Sequence, residues 1–232
     1  MLSFITGRSK SDEKESRLQE TQYVVIDTEL TGLNGRRDSI VSIGAVRMKG
    51  GRIDIGESFY KMINPKTSLT AESVVIHEIM PSDVVMKPNI DAVLGGFLDY
   101  CGADILVGFC VSVDMEFLNR ETKRLFGAPL ENQVIDIYPL FEWLLKKGIF
   151  SGEKAALLSS RYQLYDIARC FDIEVNGAHN AIIDAFITAQ IFQRFIPMLS
   201  RAGMKSAADL VKLTKNFKGG DHSRISSNMS NF

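Results

Sequence analysis

Residues 23–33 read YVVIDTELTGL, an apolar, β-prone run that ends on two carboxylates, Asp27 and Glu29. Four successive apolar residues at 23–26 suit a strand buried on both faces, as in a sheet that carries helices on either side. An acid at the end of such a strand is unusual, because burying an uncompensated carboxylate costs roughly several kcal/mol. Side chains two positions apart on a strand share a face. Asp27 and Glu29 would therefore sit side by side, and their like charges call for a cation between them. A hard divalent cation prefers oxygen ligands and keeps water or substrate phosphates in its remaining positions. Taken alone, the pair is also readable as two solvated acids on a loop.

Outward from that strand, residues 40–48 and 52–64 are two more strand-like stretches. Gly50 and Gly51 separate them, a pair that supplies the positive φ angles of a tight hairpin. The first three strands thus form an antiparallel meander. After Pro65 the apolar spacing becomes helical, at 70–79 and at 89–100, with Asn89 placed as an N-cap. Residues 104–110 form a short apolar strand. Ser112 then caps a helix running to about 126, with Gly127 as its stop. Residues 134–137 read as a last strand, and helices follow at 138–147, 162–171, 181–199 and 207–215. This order is that of an α/β protein, a mixed sheet of antiparallel meander plus parallel strands flanked by helices. Ligand sites in such sheets lie beyond strand ends, which is where the acids fall.

The chain has 232 residues, enough for one domain with a proper core. Its net charge of −1 provides no global basic field. A nucleic-acid partner would need a local basic patch, or phosphate contacts made through metal. Cys101, Cys110 and Cys170 are widely spaced in apolar stretches, the pattern of free thiols in a reducing compartment. The N-terminus lacks a secretory pattern, and no apolar run approaches the ~20 residues that span a bilayer. The chain reads as cytoplasmic, with no membrane partner.

Three further residues complete a constellation. Asp114 falls in the first turn of the helix after the 104–110 strand, a place the helix dipole favours for any acid. Asp184 lies near the start of the 181–199 helix among Ile182, Ile183, Phe186 and Ile187, where a plain surface acid is harder to justify. His179 stands five positions earlier. An unperturbed pKa of ~6.5 suits a general base; a lone histidine is more often structural, but beside four acids the base reading gains. Asp38, Asp54, Asp91, Asp136 and Asp166 have no partner at metal-ligand spacing and read as turn, cap or scaffold residues.

The segments IDTELTGL (26–33), LVGFCVSVDMEFL (106–118) and GAHNAIIDA (177–185) resemble, in order and spacing, the three exonuclease motifs of the DEDD superfamily. The histidine five positions before the last aspartate is similar to the DEDDh subgroup, which includes the proofreading subunit of bacterial DNA polymerase III, ribonuclease T and oligoribonuclease. IHEI around His77 and VIDIYPL around Asp136 also look family-like. The resemblance spans about residues 23–199 and implies a ribonuclease H-like fold. It implies an exonuclease domain at 23–200; the polar, charged residues 1–22 read as an extension, and the Gly/Ser/Asn-rich end makes 201–232 a partly disordered one. The implied activity is metal-dependent 3′–5′ exonuclease action on single-stranded nucleic acid with a free 3′ end, DNA slightly favoured over RNA, releasing nucleoside 5′-monophosphates.

By the same resemblance, Asp27, Glu29, Asp114 and Asp184 hold two Mg²⁺ or Mn²⁺ ions, with Asp27 bridging. His179 and Glu29 form the catalytic set, His179 deprotonating the attacking water. Backbone groups around Thr28 and Leu30 seat the terminal nucleotide, with Leu33 as an apolar wedge, and His77 approaches the sugar-phosphate. A DNA polymerase or another replication or repair protein is the implied partner. Motif two departs from the family: relatives carry His-Asn-Ala-x-Phe-Asp, whereas this chain has Phe109, Cys110, Val111, Ser112, Val113 and Asp114. Phe109 is then open to two readings, a base-stacking platform worth ~1–3 kcal/mol per base or a core residue. The rival functions are a weak or inactive binding or regulatory module on the same fold, an RNA or oligoribonucleotide exonuclease, and a phosphodiesterase acting on dinucleotides.

Overall fold

The computed structural model describes residues 17–150, 162–177 and 179–217. Its sheet contains β1 (Gln22–Leu30), β2 (Ile40–Lys49), β3 (Arg52–Met62), β4 (Ile105–Gly108) and β5 (Val134–Asp136), in the spatial order β3-β2-β1-β4-β5. The first three strands pair antiparallel, and β4 and β5 run parallel to β1. Among the described residues the helices are α1 (Ala71–His77), α2 (Pro81–Val84), α3 (Ile90–Cys101), α4 (Ser112–Phe126), α5 (Ile137–Lys146), α6 (Leu164–Cys170), α7 (Ala181–Arg201) and α8 (Ala207–Lys215). The mixed, helix-flanked sheet is the architecture the sequence implied.

β1 lies at the centre, and its alternation feeds two cores. Tyr23 and Val25 pack with residues of α5, α6 and α7, while Val24 and Ile26 pack with residues of α3 and α4. Burial on both faces is why residues 23–26 are uniformly apolar. The strand runs further than its apolar run suggests, because β2 stays paired with it as far as Leu30. Asp27 and Glu29 therefore stand inside a strand, on the Tyr23/Val25 face, and the solvated-loop reading does not hold. On the other edge β4 pairs only with Tyr23, Val24 and Val25. The last residues of β1 are left with an open edge on that side.

Several local expectations are corrected. The 104–110 strand ends at Gly108, because Cys110 adopts a left-handed φ of 50° and turns the chain. Ser112 is the first residue of α4, not its cap; Val111 takes that place and makes no side-chain cap bond. The amides there are satisfied from elsewhere: the Asp136 carboxylate accepts from Cys110 N–H at 3.0 Å and Val111 N–H at 3.2 Å. In the hairpin only Gly50, at φ 55°, has a positive φ. α2 had no counterpart in the sequence reading; Pro81 starts it, and Asp83 caps it by accepting from Met80 N–H at 2.8 Å.

Among the described residues α7 is long and apolar enough by length and composition to cross a bilayer, although Asp184, Gln190, Gln193 and Arg194 interrupt its apolar residues. Here it is the central core helix, burying Ile187, Ile191, Phe192, Phe195, Ile196 and Leu199. Leu18, Leu210 and Val211 join the same core. The extensions expected at 1–22 and 201–232 lie outside the described residues at 1–16 and 218–232.

One glycine sets the height of α7 above the sheet. A Cβ on Gly44 would come within 2.2 Å of the Ala181 carbonyl group and 2.3 Å of Ile182 N. Those neighbours are backbone and cannot rotate aside. Gly44→Ala is expected to destabilise the fold by ~1–3 kcal/mol, the usual range for overpacking, as read from urea denaturation midpoints. A loss below about 0.5 kcal/mol, the range of neutral surface changes, would show that α7 lifts off the sheet without penalty.

Candidate active site

The close seat of α7 on β2 carries Asp184, in the first turn of that helix, over the carboxylate-bearing end of β1. Asp27, Glu29 and Asp184 each offer an oxygen within 4.8 Å of the others. Asp114 reaches the cluster from the opposite face. Thr28 points that way, and its hydroxyl donates to Asp114 Oδ1 at 2.6 Å. The Thr28 backbone amide also donates to this carboxylate, at the edge of β1 that β4 leaves open. Asp114 thus stands at the border of the cluster: its charge acts on Asp27, but it is outside the trio that converges within 4.8 Å.

Burial pushes all four acids upward, and repulsion from the other cluster acids adds to this for Asp27 and Glu29. Asp27 lies well above the usual carboxylate range, first because of burial and then because Asp114, Asp184 and Glu29 are near. Burial, with Asp184 and Asp114, raises Glu29 to about 8. Asp114 is raised to about 7 by burial, against the lowering effect of the Thr28 hydrogen bonds. Asp184 is raised to about 6 by burial, against the bonds from Tyr165 and the His179 amide. Asp184 Oδ1 is buried and, among the described residues, has no hydrogen-bond partner. An orphaned buried acceptor among repelling carboxylates is a donor set that fits a hard divalent cation.

His179 precedes α7 in a left-handed conformation, φ 60°. Its N–H donates to the Tyr165 hydroxyl at 2.7 Å and to Asp184 Oδ2 at 3.1 Å, and its ring meets the Tyr165 ring edge-on at 5.2 Å. Burial lowers its pKa below the ordinary 6.5, with Glu78 opposing. The imidazole is therefore neutral at neutral pH. Burial lowers the pKa of His77 as well, and His179 lies near enough to add a smaller lowering effect. His77 Nδ1 accepts from Ile79 N–H at 3.0 Å, which places the ring proton on Nε2, and that atom is buried without a partner.

Leu30 ends β1, and Leu33 lies half-buried on the loop beyond it. Asp38 holds that loop, accepting from Asn34 N–H at 2.8 Å and the Thr31 hydroxyl at 3.3 Å. Phe109 packs on the core and against Tyr138, ring centroids 5.9 Å apart, which favours its core reading. The other set-aside acids are engaged in scaffolding: Asp54 accepts from Gly56 N–H, Asp91 pairs with Arg124, and Asp166 caps α6. Two tyrosines were missed. Tyr165 donates to Asp184 Oδ2 at 2.7 Å from α6, a contact between elements that no local pattern signals. Tyr60, opposite Gly44 on β3, bonds the Asn180 side chain and feels the Glu29 charge.

The RNase T family model, described as exonuclease, matches residues 24–192. The DNA polymerase III subunit epsilon of Aquifex aeolicus is 32% identical over 190 residues, covering 82% of this chain and 88% of that protein. A PolC-type DNA polymerase III from Thermotoga maritima is 31% identical over 206 residues, 89% of this chain but only 14% of its own length. Among solved structures, E. coli Exonuclease I in complex with a dT13 oligonucleotide superposes with a TM-score of 0.68 at 19% identity, over 79% of this chain and 43% of that one. Exonuclease X in complex with 5′ overhanging duplex DNA gives 0.60 at 22% identity, over 83% and 99%. These two likenesses concern the fold.

The raised carboxylates make the cation-free protein sensitive to pH. A folded chain that holds protons more tightly than the unfolded one has its full stability below the ordinary carboxylate range, and loses it as pH climbs through the raised values. Without metal, the protein is expected to melt lower at about pH 8 than at about pH 5.5, and Asp27→Asn to raise the pH 8 value and narrow the gap. Thermal melts in EDTA at both pH values check this. A wild type at least as stable at the higher pH would rule out the buried like-charge cluster.

Proposed function

The chain belongs to the exonuclease family and is a 3′–5′ exonuclease, and we propose that it trims single-stranded 3′ ends, DNA in preference to RNA, releasing nucleoside 5′-monophosphates. The observation that carries this reading is the convergence of Asp27, Glu29 and Asp184, with an unpartnered Asp184 oxygen, beside the half-buried His179. These three acids, with Asp114 at their border, would hold two divalent cations, Mg²⁺ or Mn²⁺. Bound there, such ions supply Lewis-acid activation of water and charge neutralisation on the phosphodiester.

The chain's own groups do the rest. His179, neutral at working pH, takes the proton of the attacking water, and Glu29 completes the catalytic set. Thr28, Leu30 and Leu33 seat the terminal nucleotide. The His77 Nε2–H, a buried donor without a partner, is available to a sugar or phosphate oxygen. Phe109 serves as a wall, consistent with its packing on Tyr138. DNA is favoured because the relatives at about this chain's level of similarity are named as DNA polymerase III components. The same ground makes a DNA polymerase the partner class and the cytoplasm the place of action. With a net charge of −1, long-range attraction to polynucleotide is weak, which favours distributive digestion.

The test is incubation with Mn²⁺ and 5′-labelled single-stranded DNA and RNA oligomers. The expected product is a ladder shortening from the 3′ end, faster on DNA and abolished by EDTA. His179→Ala should cut turnover ~10²–10⁴-fold while Mn²⁺ binding persists. Undiminished activity in excess chelator, or cleavage of a circular single strand, would refute the proposal.

A further inference from the structure

We propose that Tyr165 is a positioning residue for this site, its hydroxyl selecting the Asp184 oxygen left for a cation while fixing the His179 backbone. The inference rests on the reading of Asp184 as a metal ligand and His179 as the base.

Two hydrogen bonds meet at this one hydroxyl. The Tyr165 hydroxyl donates to Asp184 Oδ2 at 2.7 Å and accepts the His179 N–H at 2.7 Å. A phenol has one proton to give and lone pairs to receive. An amide nitrogen only donates and a carboxylate only accepts, so the direction of both bonds is fixed. The His179 N–H also reaches Oδ2, at 3.1 Å. Oδ2 thus receives two donors, while Oδ1 receives none and is buried. The terminal torsion of an aspartate is otherwise broad. Tying Oδ2 removes that freedom and leaves Oδ1 as the oxygen without a donor, open to a cation.

The same hydroxyl bears on the histidine. His179 has φ 60°, a conformation that L side chains seldom adopt and that persists only where the surroundings fix it. Its N–H is bound by Tyr165 and Asp184 together, and its ring lies edge-on to the phenol at an interplanar angle of 88°. Tyr165 is itself held by α6, whose Leu164, Ile167 and Ala168 are anchored in the core. Residue 165 lies 19 positions before the ligand and 14 before the base, yet it links the two. Groups that orient metal ligands in this way typically change metal affinity 10–100-fold when removed.

Tyr165→Phe removes the hydroxyl and keeps the ring against His179. Mn²⁺ affinity, measured calorimetrically, is expected to fall by about 10–100-fold. The kcat on a single-stranded DNA oligomer should drop with little change in its KM, and excess Mn²⁺ should restore part of it. A variant with wild-type Mn²⁺ affinity and kcat would overturn the proposal, as would one whose only change is a lower melting temperature. A wild type that binds no Mn²⁺ and cuts no DNA would instead refute the site reading, and this inference with it.

Discussion

The Ala181 carbonyl group and Ile182 N lie where a side chain at position 44 would have to be, and the assembly of the site follows from that contact. Gly44 is the β2 partner of Asp27 and pairs with Tyr60 on its other side. One row of the sheet therefore runs from an acid, across a position with no side chain, to a tyrosine. Into that gap comes the start of α7. Asp184 is carried within reach of Asp27 and Glu29, and Asn180, the α7 N-cap, meets Tyr60. A helix held one side-chain layer higher would leave Asp184 out of reach, since a carboxylate arm is short.

The arrangement opposes folding in the absence of a counter-charge. Burial shifts each of the four acids toward its neutral form, and repulsion among them adds to this for Asp27 and Glu29. The fold tolerates the cluster because the large apolar cores on both sides of β1 dominate its stability. Local bonds offset part of the cost at the margins: Thr28 serves Asp114, and Tyr165 with the His179 amide serves Asp184. No such bond lowers Asp27 or Glu29. The compensation is thus weakest at the centre, where a cation would sit.

Much of this was legible in the chain. The apolar run at 23–26, the Gly50 turn and the caps at Asn89 and Gly127 are local signals, each tied to a backbone requirement, and β1, the hairpin, α3 and α4 follow from them. α8 falls at 207–215 as its periodicity implied. The proximity of the acids was inferred from period-two alternation and from motif order, both of which survive folding. Tyr165, Tyr60 and Gly44 were not legible, because each acts across elements distant in sequence. Asp136 shows the same limit in reverse. It was read as scaffold, and scaffold it is, but its grip on the Cys110 and Val111 amides depends on β4 and β5 lying side by side.

That grip also bears on the departure in the second motif, where Phe109 and Cys110 stand in place of a polar pair. The turn that aims Asp114 is built from backbone. Cys110 takes a left-handed φ, its amide and that of Val111 bind Asp136, and a Cβ at Gly108 would collide with the Val111 side chain. Neither the Phe109 nor the Cys110 side chain takes part in this. Phe109 turns to Tyr138 and the core, and the Cys110 thiol is pushed well above its ordinary pKa by burial and by Asp136 and Asp114, which favours its protonated form. The aspartate is therefore placed independently of the two residues that changed. Their loss falls on what lies beside the acids, the surface offered to a strand. On the function proposed above, an apolar wall there would offer a strand no side-chain hydrogen bonds and would leave the charge cluster, with His179 and His77, to grip it.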